Sequence, residues 1–178
     1  MNSNTQRIAI TAVLTALLLA VGPLAINVGP IPMTLQTLII ALVASVSSMR
    51  VSLTAIGLYL VLGALGLPVL AGFKGGIVLF FGPTGGYLWS FLLFSPIIGL
   101  SFKKWRTVTG LIVTNCVATI LNLTLGTIWL SISAHMSAQA AIAAGVTPFI
   151  VSSVLKIVIV VVVALAIRQL QSRTLVAF

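Results

Sequence analysis

The chain contains no aspartate and no glutamate in its 178 residues, and no other feature of the sequence constrains it as much. Only 5% of its residues are charged and 60% are hydrophobic. An average soluble domain, in contrast, is about a quarter charged. Long apolar runs with rare interruptions are typical of membrane spans. The sequence therefore predicts an integral membrane protein in a lipid bilayer.

The absence of carboxylates also excludes several kinds of chemistry. The chain cannot supply paired-carboxylate hydrolysis, a carboxylate general base or the acidic relays of proton-coupled pumps. One cysteine and one histidine, Cys116 and His135, cannot form a disulfide or a zinc site within the chain. It also has no Walker-type phosphate loop. We therefore expect no enzyme, no metal and no cofactor, and the energy for any transport would have to come from a source other than ATP hydrolysis by this chain.

Six apolar segments predict an all-α bundle of six transmembrane helices that forms a single domain, residues 1–178. The segments are 8–25, 35–49, 51–70, 86–102, 108–131 and 149–167. The first follows Arg7 as a signal peptide would, but we interpret it as retained because another apolar span follows it. Two Gly- and Pro-rich stretches, 27–34 and 72–86, predict irregular chain that faces protein or a wet cavity.

The net charge of +9 predicts an orientation in the membrane. The basic residues are scattered between apolar runs without interleaved aromatic residues, so we expect no nucleic-acid partner. Six spans leave Lys74 alone on one side and place seven cations on the other: Arg7, Arg50, Lys103, Lys104, Arg106, Arg168 and Arg173. The positive-inside rule then predicts cytoplasmic termini and outer connections at 27–34, 72–86 and 133–147.

Lys156 lies inside the last apolar segment, eight residues after Pro148. A charge at such depth costs about 2.5–3.5 kcal/mol on insertion scales and needs a partner. Without Asp or Glu, that partner must be an external anion, water, backbone carbonyls, or loss of the proton. The alternative is a side chain that reaches the interface along its own stem. Ser152 and Ser153 share its helix face and are candidates to bind the same ligand.

Other polar residues are weaker candidates for a binding site. Lys74 lies on a Gly-rich loop whose backbone N–H groups can approach an anion, although it could equally be a solvated loop residue. Thr34 and Gln36 open the second segment, where a buried amide needs a partner in a ligand or a helix. Asn115 and Asn122 could face the interior, but we do not include them in the predicted site.

Small residues recur every fourth position on the first segment, at Ala12, Ala16 and Ala20. Such a stripe lets another helix approach closely, either within the bundle or from a partner protein.

Several motifs in order resemble the biotin-specific S component (BioY family) of energy-coupling factor transporters. They are Gly29-Pro30-Ile31-Pro32-Met33-Thr34-Leu35-Gln36-Thr37, Gly66-Leu67-Pro68-Val69-Leu70-Ala71-Gly72-Phe73-Lys74-Gly75-Gly76, Gly82-Pro83-Thr84-Gly85-Gly86-Tyr87, and Pro148-Phe149-Ile150 before Lys156. The resemblance covers nearly the whole chain. It implies a six-helix vitamin-capture protein of a prokaryotic cell membrane, with an outward pocket, that associates with a membrane coupling subunit and two cytoplasmic ATPase subunits.

The resemblance also implies roles for individual residues. The polar pocket positions fall on Gln36, Lys74, Tyr87 and Lys156, while Gly75, Gly76, Gly85 and Gly86 shape the outer loops. The stripe Ala12/Ala16/Ala20 corresponds to the docking surface for the coupling subunit.

The chain departs from the family at one important place. The family commonly has Pro-Gly-Asp ending three residues before the lysine, where this chain has Val151-Ser152-Ser153. Lys74 stands at the position of the loop arginine of the family, and a lysine cannot make the bidentate hydrogen bonds of an arginine. At the Asp position only the Ser153 hydroxyl could accept the ureido N–H groups of biotin, so a related acid such as lipoate is the alternative ligand. Two competing functions are a self-sufficient secondary transporter or channel, and a structural membrane subunit without a ligand.

Overall fold

The computed structural model describes residues 3–26, 32–104 and 107–176. Helix α1 covers Ser3–Val21, and the two-residue strands β1 (Ala25–Ile26) and β2 (Met33–Thr34) pair antiparallel after it. The other helices are α2 (Gln36–Val46), α3 (Met49–Ala64), α4 (Val78–Phe81), α5 (Gly85–Ser90), a 3-10 turn (Phe91–Leu93), α6 (Phe94–Lys104), α7 (Val108–Ser133), α8 (Ala138–Gly145) and α9 (Phe149–Val176).

Each of the six predicted apolar segments corresponds to helical chain. Within the described residues, three helical stretches are long and apolar enough to cross a membrane by themselves: Asn4–Val21, Val108–Ser133 and Phe149–Ile167. Three shorter apolar stretches, Gln36–Val46, Met49–Ala64 and Gly85–Gly99, complete the bundle. Helices satisfy every internal backbone hydrogen bond, which lipid cannot do, and this explains why apolar segments of this composition become helical.

Local sequence signals set the ends of several helices. Helix α1 stops before Gly22-Pro23 because proline cannot continue a helix. Helix α3 ends in a Schellman motif, in which Leu67 N–H donates to the Leu62 carbonyl and Gly66 N–H to the Gly63 carbonyl. Gly66 has φ of 104°, a left-handed conformation that favours glycine.

Two connections contain helices that the sequence did not predict. The connection 133–147 contains α8, where the Ser137 hydroxyl caps the helix by accepting a hydrogen bond from Ala140 N–H at 3.3 Å. Its alanines are strong helix formers and Ala141 is fully buried, so packing adds to propensity. The stretch 72–86 contains α4 and the first residues of α5. Of the stretch 27–34, residues 27–31 lie outside the described part of the chain.

The core lies between α1, α2, α3, α6 and α9. Helix α1 packs on α3 and α2, α2 packs on α9 and α6, and α7 packs on α5, α6, α8 and α9. The largest fully buried side chains include Tyr59, Phe80 and Phe94. Because α2 lies against α9, the first turn of α2 comes next to Lys156 in spite of more than a hundred intervening residues.

Candidate functional site

A cavity of about 270 Å³ opens at the end of the bundle where α3 ends and α9 begins. We call this the cavity end. The lining residues come from the start of α2, the loop after α3, α4, α5, α7 and α9: Pro32, Thr34, Gln36, Thr37, Ala41, Leu70, Ala71, Lys74, Leu79, Pro83, Thr84, Tyr87, Leu88, Phe91, Thr119, Asn122, Leu123, Phe149, Ser153, Lys156, Ile157 and Val160. All five predicted binding residues, Gln36, Lys74, Tyr87, Ser153 and Lys156, are among them.

Lys156 reaches from α9 to the end of β2 and the first turn of α2. Its Nζ donates hydrogen bonds to the Thr34 carbonyl at 2.7 Å and to Thr37 Oγ1 at 3.0 Å. Of the partners that the sequence left open, the structure therefore provides a backbone carbonyl, together with a hydroxyl. An ammonium has three N–H donors, so one is left for a ligand in the cavity.

Lys74 is held differently, on an exposed loop. Leu70 and Lys74 form an isolated antiparallel bridge, with Leu70 N–H donating to the Lys74 carbonyl at 2.9 Å. Gly72 N–H ties this turn to the Pro23 carbonyl, also at 2.9 Å. The backbone of the loop is thus fixed, while no acceptor in the described part of the chain holds the Lys74 ammonium within hydrogen-bond distance.

Gln36 presents one side of its amide to the cavity. Its Nε2 donates to the Tyr59 hydroxyl, and that hydroxyl donates its own hydrogen to the Val69 carbonyl at 2.9 Å. Both Gln36 and Tyr59 are buried. Because the Tyr59 oxygen can only accept from Gln36, the amide orientation is determined, and Oε1 and the second Nε2 hydrogen are left for a ligand.

Tyr87 lines the cavity, but its hydroxyl is engaged within the protein. The hydroxyl lies 3.1 Å from Thr127 Oγ1 and donates to the Gly145 carbonyl at 3.0 Å, so it connects α5 to α7 and α8. A Cβ at Gly126 would overlap the Tyr87 ring, and glycine there lets α5 approach α7 closely. The sequence did not indicate that this hydroxyl would be used inside the protein.

The two serines before Lys156 have different positions. Ser153 lines the cavity, and no hydrogen-bond partner for its hydroxyl occurs in the described residues. Ser152 instead donates to the Phe149 carbonyl at 3.1 Å, one turn back along its own helix. Ser153 is therefore the serine that a ligand can contact.

Sequence reasoning left four polar lining residues out of the site: Thr37, Thr84, Thr119 and Asn122. Thr37 holds Lys156, a contact that depends on the packing of α2 against α9. Asn122 is 2% exposed, and a buried amide in an apolar helix is a signal that could have marked it.

None of the four predicted loop glycines lines the cavity. A Cβ on Gly75 would overlap the backbone of Gly66, and one on Gly86 would overlap the Trp129 side chain. Gly76 donates to the Gly63 carbonyl at 2.7 Å, and a Cβ on Gly85 would overlap the Phe80 carbonyl. Three of these glycines thus stand where a larger residue would not fit without a shift, in the loop after α3 and at the start of α5.

The comparisons with known proteins agree with one another. The family model described as "BioY family" matches residues 1–173. The chain belongs to the BioY family. It is 38% identical over 175 residues to the biotin transporter BioY2 of Lactococcus lactis subsp. cremoris, covering 97% of this chain and 96% of the relative. It is 34% identical to the biotin transporter BioY of Thermotoga maritima, over 89% of this chain and 94% of that one.

A solved structure supports the same assignment at the level of the fold. The crystal structure of the S-component for biotin from an ECF-type ABC transporter superposes on this BioY protein with a TM-score of 0.86. The sequence identity is 27%, and 95% of each chain is covered. The predicted family and the predicted all-α membrane fold are both confirmed.

The predicted docking stripe of this BioY protein lies on its outside. Ala12, Ala16 and Ala20 are all exposed, while Leu18 on another face of α1 is fully buried in the core. The stripe therefore does not serve packing within the described bundle, which was one of the two interpretations of the sequence.

Proposed function

We propose that this BioY protein is the substrate-binding subunit of an energy-coupling factor transporter and that its ligand is biotin. The observation that carries the proposal is the cavity in which Lys156, half-buried and with one N–H donor unused, lies beside apolar walls. An aliphatic chain that ends in a carboxylate fits such a site, since apolar walls bury the chain and a cation pairs the acid. The two bacterial relatives compared above are biotin transporters, which supports the same ligand.

Lipoate is the second candidate ligand, and Ser153 is the observation that favours it. A serine stands where the resemblance leads us to expect an aspartate, and biotin has N–H donors that require acceptors when buried. Lipoate has an aliphatic carboxylate without those donors. Titration of the purified protein with each acid tests the choice. We expect a submicromolar dissociation constant for biotin and far weaker binding of lipoate, and the reverse order would contradict biotin as the ligand.

The partners are a membrane coupling subunit and two cytoplasmic ATPase subunits, and we propose that the coupling subunit docks on Ala12, Ala16 and Ala20. We expect Ala16→Trp to weaken assembly of the complex, because a large side chain prevents close helix approach. Biotin binding by the isolated chain should be unchanged. Val162→Trp is the matched control, since Val162 is 60% exposed on another helix. Equal loss of assembly in both variants would contradict the assignment of the stripe.

We also propose that both termini are cytoplasmic and that the cavity opens outward. Arg7 and Arg50 belong to the opposite ends of α1 and α3 from the cavity end, in keeping with the positive-inside rule. A membrane-impermeant thiol reagent should modify Lys74→Cys only from outside and Lys104→Cys only from inside. Both are made in a Cys116→Ser background, because Cys116 is a free, partly exposed thiol. The opposite pattern would reverse the orientation.

The requirement for partners separates this proposal from a self-sufficient transporter. The isolated chain in liposomes should bind radiolabelled biotin without accumulating it. Accumulation against a gradient without partners would favour a secondary transporter, and absence of any binding would favour a structural subunit.

A further inference from the structure

Asn122 is a buried polar residue of the cavity wall whose role the proposed function does not explain. It lies on α7 and is 2% exposed, yet it lines the cavity. Its Nδ2 donates hydrogen bonds to the Tyr87 carbonyl at 3.1 Å and to Ser90 Oγ at 2.6 Å. Both amide hydrogens are thereby used, and only Oδ1 remains to contact anything else.

The neighbouring serine determines which way the amide points. Ser90 Oγ donates its single hydrogen to the Tyr87 carbonyl at 2.9 Å, so the Ser90 oxygen can only accept from Asn122. A reversed amide would bring Oδ1 against two acceptors, the Ser90 oxygen and the Tyr87 carbonyl. The orientation with Nδ2 toward α5 is therefore determined by the hydrogen-bond network.

Comparison with Asn115, two turns away on the same helix, shows that Oδ1 of Asn122 is accessible. Asn115 Oδ1 is sealed inside the protein without a partner in the described residues, and Asn115 does not line the cavity. Asn122 Oδ1 is not sealed in this way, and the described part of the chain supplies no donor to it. The cavity is thus the space in which Asn122 Oδ1 can find a hydrogen-bond donor.

Gln36 also lines the cavity with its amide orientation determined, since one Nε2 hydrogen is donated to Tyr59 and Oε1 accepts no hydrogen bond from the described residues. Two lining side chains therefore offer amide oxygens in fixed orientations. Such acceptors can replace the carboxylate that is missing at Ser153, and they carry no charge into the membrane.

We infer that Asn122 is a specificity-determining residue whose Oδ1 accepts a hydrogen bond from a ring N–H group of the bound ligand. The inference rests on the proposed biotin function, because a cyclic urea supplies such N–H donors. It also identifies a basis for discrimination between the two candidate ligands. A ligand without ring N–H donors leaves a buried amide oxygen unpaired, whereas a cyclic urea satisfies it.

The test compares biotin with two analogues, each methylated at one of the two ureido nitrogens, on the wild-type protein and on Asn122→Ala. In the wild type we expect one analogue to bind about 10- to 100-fold more weakly than biotin, because its methyl group replaces the donated hydrogen. In Asn122→Ala, biotin should lose affinity and the ratio between biotin and that analogue should fall to near one. Non-additivity of this kind reports a direct contact.

Asn115→Ala is the matched control, because it truncates the same residue type on the same helix away from the cavity. It should leave the ratio between biotin and its analogues at the wild-type value. If the wild type binds biotin tightly and the ratio persists in Asn122→Ala, the assignment of Asn122 is wrong while the proposed function stands. The assignment is also wrong if the wild type does not discriminate. If the wild type does not bind biotin at all, the proposed function fails first.

A second measurement applies if Asn122→Ala does not fold. In a crystal structure of the wild-type protein with biotin, we expect Asn122 Oδ1 within about 3.2 Å of a ureido nitrogen. A biotin ring whose nitrogens lie beyond hydrogen-bond distance of Asn122 Oδ1 would overturn the inference.

Discussion

Lys156 and Lys74 line the same cavity, but they differ in how firmly the protein holds their ammonium groups. The Lys156 side chain is half-buried, and its ammonium is held by one acceptor at the end of β2 and one in the first turn of α2. Lys74 is exposed on a loop whose backbone is fixed by the Leu70 bridge, while its ammonium has no acceptor in the described residues. One ammonium therefore has a position defined by the protein, and the other is exposed to solvent. A defined, partly desolvated cation makes stronger and more directional contacts than an exposed one.

The strongest test of this difference is Lys156→Met. A charge-assisted hydrogen bond contributes about 1.5–3 kcal/mol, so we expect biotin to bind about 10- to 100-fold more weakly. The neutral amide of biotin should lose much less, because it forms no ion pair with the lysine. Calorimetric titration of the variant with both ligands measures the two losses. If acid and amide lose affinity equally, Lys156 does not bind the carboxylate, and Lys74 becomes the better candidate.

The two lysines also show how far the sequence could predict the site. The sequence indicated that Lys156 needs a partner, because a buried charge does so in any fold. It could not identify Thr34 and Thr37 as the partners of Lys156. They are 122 and 119 residues away in sequence, and they contact Lys156 only because α2 packs on α9. For all five proposed binding residues, contact with a ligand stays a prediction.

Asn115 and Asn122 illustrate the same limit. Their spacing of seven residues places them on one helix face, so periodicity treats them alike. The structure distinguishes the two asparagines. The amide nitrogen of Asn122 donates to acceptors on α5, which leaves its oxygen toward the cavity. The amide nitrogen of Asn115 instead donates to Ser45 and to a carbonyl of α7. The hydrophobic pattern predicted the six main helices well, since lipid imposes helix on each apolar run. It did not predict α8, a short helix that is stabilised by packing on α7.

An intermediate effect is expected from Thr37→Val, which removes the hydroxyl that holds Lys156 and preserves the side-chain shape. A typical hydrogen bond contributes about 0.5–1.5 kcal/mol, so biotin affinity should fall by about 2- to 10-fold. Thr37→Ser keeps the hydroxyl and should retain most of the affinity. Isothermal titration of both variants gives the comparison.

The mechanism of this effect can be tested in the Lys156→Met background. If Thr37 acts by holding Lys156, Thr37→Val should cost nothing further once the ammonium is gone. An equal loss in both backgrounds would mean that Thr37 contacts the ligand itself.

The smallest effect is expected from Lys74→Met. Exposed ion pairs contribute about 0–1 kcal/mol, so biotin affinity should fall by no more than about 5-fold. Because salt screens exposed charges, the loss should shrink as ionic strength rises, whereas the loss in Lys156→Met should change little. Titrations of both variants at low and high salt measure this contrast. A salt-insensitive loss in Lys74→Met that exceeds the loss in Lys156→Met would mean that the loop closes over the ligand and desolvates Lys74, and the roles of the two lysines would have to be exchanged.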